Sequence, residues 1–181
     1  EVLESGRVVN KIDDTQILDQ VLPGVEEHIT GIFKRSNAFG EIIFGSKSTR
    51  LSFSSVHWDS EEELLSTLVL IDGSLEKLSD PSAIVLPDSI AEKLGVLIGE
   101  TVLFRFDTVT GQKNVAEFTV GAIIKDTGSF GISSSYGDIH YFNPLLGLES
   151  DEYQNLNLQL SDINSMTIVA SVAKWRLEIV D

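Results

Sequence analysis

Three histidines are the side chains of this sequence best suited to bind a metal ion or to exchange a proton near neutral pH. They are His28, His57 and His140, and they lie far apart along the chain. No two of them form the His-x-x-x-His spacing that places two imidazoles on one helix face to ligate zinc. The chain has no cysteine, which excludes thiolate ligands and thiolate catalysis. The spacing therefore predicts surface or half-buried histidines, with no metal and no cofactor, unless folding brings them together.

Other stretches come close to a functional motif without completing it. Residues 131–135 contain a Gly-x-Ser sequence but lack the second glycine of a serine-hydrolase elbow. Residues 40–48 resemble a phosphate-binding loop whose lysine stands one position too late, so a hairpin turn is the better interpretation. The acidic stretches Asp13–Asp14 and Glu61–Glu63 lack the alternating spacing of a calcium loop, and helix N-termini favour negative charge there. We therefore predict no catalytic residue and a protein that is not an enzyme.

The elements that would carry these residues begin with strands. Apolar and polar side chains alternate through Leu51–Ser54, which predicts a strand with one face buried. That strand is expected to pair with the preceding one through a hairpin around Gly45–Ser46. An earlier strand is predicted over Val25–Phe33, with its continuation crossing a turn near Ser36–Asn37.

Helices are predicted between these strands. Ser60 and Glu63 have the spacing of a capping box, which predicts a helix over Glu61–Leu70. Residues 125–137 are rich in glycine, serine and threonine and are expected to form a loop. A strand is predicted over Ile139–Phe142. Because strands and helices are mixed and several strands form hairpins, the predicted class is α+β.

Composition limits the classes of partner. The chain has 181 residues and a net charge of −15, from 28 Asp and Glu against 13 Lys and Arg. Such a charge repels phosphate backbones, so we predict no nucleic-acid partner. No apolar run approaches the roughly 20 residues that a membrane helix needs. Since the sequence starts without Met, we expect it to be part of a longer protein.

One segment carries a resemblance to a known family. The stretch Ala83–Val102 predicts a buried strand, a short helix and a second strand. The helix ends on Ala91, Leu94 and Gly95, and Gly99 stands just before the next strand. In physical terms, Gly95 suits the left-handed position that ends a helix. The pattern resembles the MacB-like periplasmic core domain of ABC-transporter permeases of the MacB, FtsX and LolC–LolE type.

The resemblance implies a domain of two lobes. Residues 1–74 and 127–181 would form an outer, porter-like lobe of mixed α/β structure, built from both ends of the chain. Residues 75–126 would form a small, mostly β lobe inserted into it. Ala91, Leu94, Gly95 and Gly99 would have architectural roles in that inserted lobe.

The resemblance also implies a function. The chain would be the extracytoplasmic domain of a bacterial ABC-transporter permease, in the periplasm or the extracellular space. It would bind a substrate or partner and transmit ATP-driven motion across the membrane. Its partners would be flanking transmembrane helices of the same polypeptide, a cytosolic ATPase subunit acting indirectly, and a second permease in a homo- or heterodimer.

A contact surface for a partner is predicted in the glycine-rich loop. Apolar residues on a loop often mark contacts, and here they are Phe130, Ile132 and Tyr136. Two other functions stay open from the sequence. One is a free-standing binding or adhesion module of the cell envelope, and the other is a hydrolase whose site residues are scattered along the chain.

Overall fold

The computed structural model describes residues 2–4, 7–9, 11–13, 22–126 and 134–180. Its strands, numbered in chain order, are β1 Val2–Glu4, β2 Arg7–Val9, β3 Ile12–Asp13, β4 Ile29–Phe44, β5 Lys47–Val56, β6 Leu70–Gly73, β7 Ala83–Pro87, β8 Thr101–Asp107, β9 Lys113–Ile124, β10 Ser134–Asp138, β11 Glu152–Tyr153 and β12 Asn155–Leu160. Its α-helices are α1 Glu62–Thr67, α2 Asp88–Leu94, α3 Ile139–Leu146 and α4 Ser165–Val180. Short 3-10 helices cover Glu26–His28, Trp58–Ser60 and Leu75–Ser79. The α+β class predicted from the sequence is therefore confirmed.

Six of these strands hydrogen-bond in a closed ring, which makes the central sheet a small barrel. The ring order is β4, β5, β10, β7, β9 and β8, and β8 closes it by pairing with β4. Two neighbouring pairs, β5 with β10 and β7 with β9, are parallel. The sheet is extended by β12 beside β4 and by β6 beside β9, while β3 pairs separately with β11. Closure leaves the six ring strands without free edges.

The long strand β4 connects the barrel to β12, which pairs with β4 outside the ring. Its first part pairs with β12, its second part pairs with β5, and Arg35 takes part in both pairings. The turn predicted near Ser36–Asn37 is therefore wrong. Small polar residues favour turns when their backbone is free, but here it is fixed by the ladder with β5, and the Asn37 amide also donates to the side chain of Gln154 at 2.8 Å.

Aromatic side chains from different parts of the chain fill the ring. Phe53 of β5 packs on Phe142 of α3 with ring centroids 4.4 Å apart, and on Phe118 of β9 at 5.0 Å. All three are fully buried. Segment 75–126 therefore shares its sheet and its core with the segments on either side, and its division from them as an inserted lobe stays a prediction.

The family segment folds as a strand, a helix and a strand. Ile90, Ala91 and Leu94 are the buried face of α2, which packs against β5 and β7. The helix ends on Gly95 in the left-handed conformation, with φ of 72°. Gly99 has φ of 86°, and its amide donates to Val120 at 2.8 Å just before β8 begins. The helix end and the tight turn therefore lie where the sequence predicts them.

Replacing Gly95 with alanine should lower the free energy of unfolding by roughly 1–2 kcal/mol, because an L-residue is strained at this positive φ. Crowding adds little, since the new Cβ would meet only the flexible Lys47 ammonium group at 3.0 Å. Urea denaturation of Gly95→Ala beside the exposed helix variant Glu92→Ala measures the effect. A Gly95→Ala loss no larger than that of Glu92→Ala would contradict the strain.

Three local predictions are corrected by the structure. α1 is shorter than the predicted helix, and no side-chain hydrogen bond caps it, so the capping box of Ser60 and Glu63 does not form. The end of the predicted loop is strand β10, because its backbone is paired on both sides, with β5 and with β7. The strand predicted over Ile139–Phe142 is helix α3, because the Asp138 carboxylate accepts from the amides of His140 and Tyr141 and starts a helix there.

Candidate functional site

His57 and His140 are brought together by the parallel pairing of β5 and β10. Val56 stands opposite Asp138, so the two parallel strands finish at the same end of the sheet. His57 directly follows β5, and His140 lies in the first turn of α3. Their ring centroids are 4.9 Å apart and their planes are 78° apart. The half-buried or exposed positions predicted for them are correct, but two of the three histidines are also in contact.

Two adjoining clefts share this histidine pair. The main cleft has a volume of about 500 Å³. Its lining combines charged, aromatic and apolar side chains, from Lys34, His57, Ile139, His140, Asn143, Pro144, Leu148, Glu149, Ser150, Asp151, Glu152 and Tyr153. The side cleft measures about 490 Å³. Its lining is divided more evenly between polar and apolar surface and comes from His57, Trp58, Asp59, Leu65, Leu75, Glu76, Leu78, Ser79, Asp138 and His140.

Two lysines offset part of the negative charge around the main cleft: Lys34, which lines it, and Lys11, which pairs with a lining residue. Lys11 of the segment before β3 forms an ion pair of 2.6 Å with Glu152. The ammonium group of Lys34 lies 5.8 Å from the centre of the buried Tyr153 ring, within the range of a cation–π contact. Glu149 and Asp151 have no ion pair among the described residues. The cleft therefore offers carboxylates and aromatic surface side by side.

The side cleft contains two buried nitrogens without a partner. Neither Nδ1 of His57 nor Nε1 of Trp58 makes a hydrogen bond to a described residue. A buried polar atom left in this state costs about 1–3 kcal/mol. Such a cost is typical of sites that bind a ligand or change conformation, because another partner or another arrangement can relieve it.

Comparison with known proteins identifies the fold. A scan of protein families and a search of curated proteins find no match. Among solved structures, the extracellular domain of the ABC-type transporter YknZ from Gram-positive bacteria superposes with a TM-score of 0.64 at 18% identity, over 91% of this chain and 81% of that one. The periplasmic region of MacB from Actinobacillus actinomycetemcomitans superposes with a TM-score of 0.61 at 15% identity, over 94% and 75%.

The chain has the fold of an extracytoplasmic ABC-permease domain. The resemblance predicted from Ala91, Leu94, Gly95 and Gly99 is thus confirmed at the level of the fold. Within the described part of this permease-domain fold, no helix combines the length and the apolar character that crossing a membrane requires.

An ion pair between the half-buried Arg35 and the buried Glu61 lies beside the clefts of this permease-domain fold. The guanidinium group of Arg35 donates to both carboxylate oxygens of Glu61, at 2.7 and 2.6 Å. Glu61 is only 1% exposed and precedes α1, so the pair holds that helix against β4. The hydrogen bond to Glu61 raises the pKa of Arg35, although burial works in the opposite direction.

Tyr136, one of the predicted partner contacts, lies next to this ion pair rather than on a loop. It is half-buried on β10 and packs against a second apolar cluster formed around Leu78 and Val85. Burial raises the pKa of its hydroxyl, the charge of Arg35 lowers that pKa, and the charge of Glu61 raises it. The other two predicted contacts, Phe130 and Ile132, lie outside the described residues. A partner contact at Tyr136 stays a prediction.

The third histidine, His28, lies away from both clefts and makes contacts that connect two elements of the fold. His28 Nδ1 lies 3.3 Å from the hydroxyl of Ser165 at the start of α4. Its Nε2 is 3.7 Å from Glu27, which is 80% exposed. Ser165 is buried, so this contact joins α4 to the 3-10 helix before β4. Among the described residues, no serine hydroxyl is hydrogen-bonded to the imidazole of His57 or His140.

Sequence reasoning missed two contacts of the site, namely that of His57 with His140 and the ion pair of Arg35 with Glu61. Each contact joins residues from elements that are distant in sequence. The one available signal was the acidic stretch Glu61–Glu63, which sequence analysis assigned to a helix N-terminus. The structure agrees for Glu62 and Glu63, which lie in the first turn of α1.

Proposed function

We propose that this chain is the extracytoplasmic domain of a bacterial ABC-transporter permease, which binds a substrate or partner and transmits ATP-driven motion. The observation that carries the proposal is the superposition on two such domains over more than nine tenths of the chain. In this proposal the domain acts by binding and movement rather than by catalysis, and it lies in the periplasm or the extracellular space. Transmembrane helices of the same polypeptide and a cytosolic ATPase subunit are its partners.

The position of the main cleft supports a role in coupling. β3, near the start of the chain, pairs with β11, and Glu152 and Tyr153 of β11 line the cleft. α4 follows β12, which pairs with β4 beside Lys34, another lining residue. A displacement of β3 or α4 would therefore reach the cleft through a single strand pairing. Membrane helices attached beyond these elements would move the cleft walls.

Two other functions make different predictions. A free-standing envelope module would be released from membranes by an alkaline wash, whereas a permease domain would stay with them. A hydrolase would use a nucleophile activated by a neighbouring base. The histidines of the clefts have no hydrogen bond to a serine among the described residues, which favours binding over hydrolysis.

Labelling of the full-length protein in intact cells tests the location. The chain has no cysteine of its own, so Leu97→Cys introduces a thiol at a position that is 66% exposed. We expect a membrane-impermeant maleimide to label this variant before lysis and to leave it in the membrane fraction after an alkaline wash.

Val120→Cys serves as the matched control, because Val120 is fully buried in the same part of the fold. It should be labelled only after denaturation, and the unsubstituted protein gives the background from any cysteines elsewhere in the polypeptide. Labelling of Leu97→Cys only after lysis would refute the location. Release by the alkaline wash would instead favour the free-standing module.

A further inference from the structure

The loop after α3 forms one wall of the main cleft and is held in place by hydrogen bonds. Glu152 closes the loop, because its Oε2 accepts from the Glu149 amide at 2.9 Å while its Oε1 accepts from Lys11 at 2.6 Å. At the start of the loop, the amide of the buried Leu148 donates to the carbonyl of Asn143 at 2.9 Å. This wall is therefore formed before any ligand arrives, as is usual for small-molecule sites.

A buried amide side chain lines the same cleft. Asn143 is 4% exposed, its Oδ1 accepts from Ser55 at 3.1 Å, and its Nδ2 donates to the carbonyl of Glu152 at 2.9 Å. The amide nitrogen carries two hydrogens, and the second has no acceptor among the described residues. Because buried donors in folded proteins generally have a partner, this hydrogen is available to an oxygen atom of a ligand.

The charges that the main cleft leaves unmatched are negative. Glu149 and Asp151 line it, are exposed, and have no ion pair among the described residues. Lys34 is the one lysine in the described lining, and its ammonium group lies over the ring of Tyr153. The net charge of −15 on the chain adds to the field of the two carboxylates. The cleft therefore attracts cations and repels anions.

Apolar side chains supply most of the remaining contact surface of the cleft. Ile139 and Pro144 of α3 and Leu148 of the loop line it, together with the ring of Tyr153. The volume of about 500 Å³ lies within the roughly 300–1,000 Å³ that is typical of small-molecule sites. An apolar surface with a few fixed polar groups and unmatched carboxylates suits a ligand that combines an apolar body with a positive charge.

We propose that the main cleft binds a small organic ammonium ion. The charged end of the ligand lies beside Glu149 and Asp151, and its apolar body packs between α3 and the loop that follows it. The inference rests on the proposed function for the role of the ligand, which is then the substrate of the permease domain. Binding itself needs only the folded chain, so it can be measured separately from location and transport.

Titration of the isotope-labelled full chain with N-(4-aminobutyl)benzamide, followed by NMR, tests the inference. This probe joins a phenyl ring and a carbonyl oxygen to an ammonium group. Saturable shifts are expected for the amides around the cleft, at residues 139–143 and 148–153. N-butylbenzamide has the same body without the charge and should bind roughly three- to tenfold more weakly, the effect of two exposed carboxylates on a nearby cation. Glu149→Gln combined with Asp151→Asn should weaken the charged probe by the same factor and leave N-butylbenzamide unchanged.

Glu92→Gln combined with Glu117→Gln is the matched control, because it removes the same charge from exposed residues that line neither cleft. This variant should bind the charged probe as the unsubstituted chain does, and circular dichroism confirms that each variant is folded. Equal affinity for the two probes, shifts confined to residues outside the cleft, no binding at all, or an equal loss in the two double variants overturns the inference. If Leu97→Cys is nevertheless labelled before lysis, the proposed function stands and only the ligand class is wrong.

Discussion

Replacing Arg35 with methionine is expected to lower the free energy of unfolding by about 3–5 kcal/mol, the cost of leaving a buried charge without its partner. The side chain of Glu61 is only 2% exposed, and both of its oxygens accept from Arg35. Without Arg35, the carboxylate has no counter-ion and cannot regain water unless α1 moves off β4. Urea denaturation followed by circular dichroism measures the loss.

The exposed ion pair of Lys113 with Asp107 is the control. Its N–O distance is 2.6 Å, but the two side chains are 74% and 53% exposed. Lys113→Met should cost no more than about 1 kcal/mol, because solvent screens such pairs. Adding Glu61→Gln to Arg35→Met should restore part of the loss, since the uncompensated charge is then removed. Equal losses in Arg35→Met and Lys113→Met would show that burial of Glu61 is not what gives the pair its strength.

Local signals were sufficient for elements that end on special backbone conformations. The left-handed Gly95 and the hairpin at Gly45–Ser46 were predicted because glycine adopts a positive φ without the steric strain that a Cβ atom would cause. Ile139–Phe142 was misread because short, largely apolar segments fit both a strand and a helix. What decides between them is the Asp138 cap together with the position of that segment beyond the end of a parallel strand.

The features that the sequence did not predict depend on pairing between strands that are far apart along the chain. Nothing in the residues of β5 or β10 specifies that they lie side by side, yet that pairing brings His57 to His140. Ring closure by β8 and β4 likewise depends on Gly40, where an added Cβ would lie 2.3 Å from the backbone oxygen of Arg105. The glycine is visible in the sequence, but the strand that approaches it is not.

Because of this topology, residues from before, within and after segment 75–126 pack together in the barrel core. Phe142 comes from α3, after the predicted inserted lobe, yet its ring lies 4.4 Å from Phe53 and 4.8 Å from Phe106. It is fully buried. A core that mixes residues from before, within and after 75–126 should unfold as one cooperative unit.

Phe142→Ala is therefore expected to lower the free energy of unfolding by about 3–5 kcal/mol, through lost apolar burial and the cavity that remains. Two probes follow the unfolding of different segments of the chain. Both tryptophans, Trp58 and Trp175, lie outside residues 75–126 and report the flanking segments by fluorescence, while hydrogen exchange of the β8 and β9 amides reports the segment between them.

The unfolding midpoints measured with the two probes should coincide in the unsubstituted chain, and both should be lowered by the same amount in Phe142→Ala. Phe39→Ala is the control, because Phe39 is 61% exposed on the outside of the barrel and its loss should leave both midpoints nearly unchanged. If the β8 and β9 amides keep their protection while the fluorescence midpoint falls, residues 75–126 fold on their own. The inserted lobe would then be a separate unit, and the shared aromatic core would be a contact between two units rather than the centre of one.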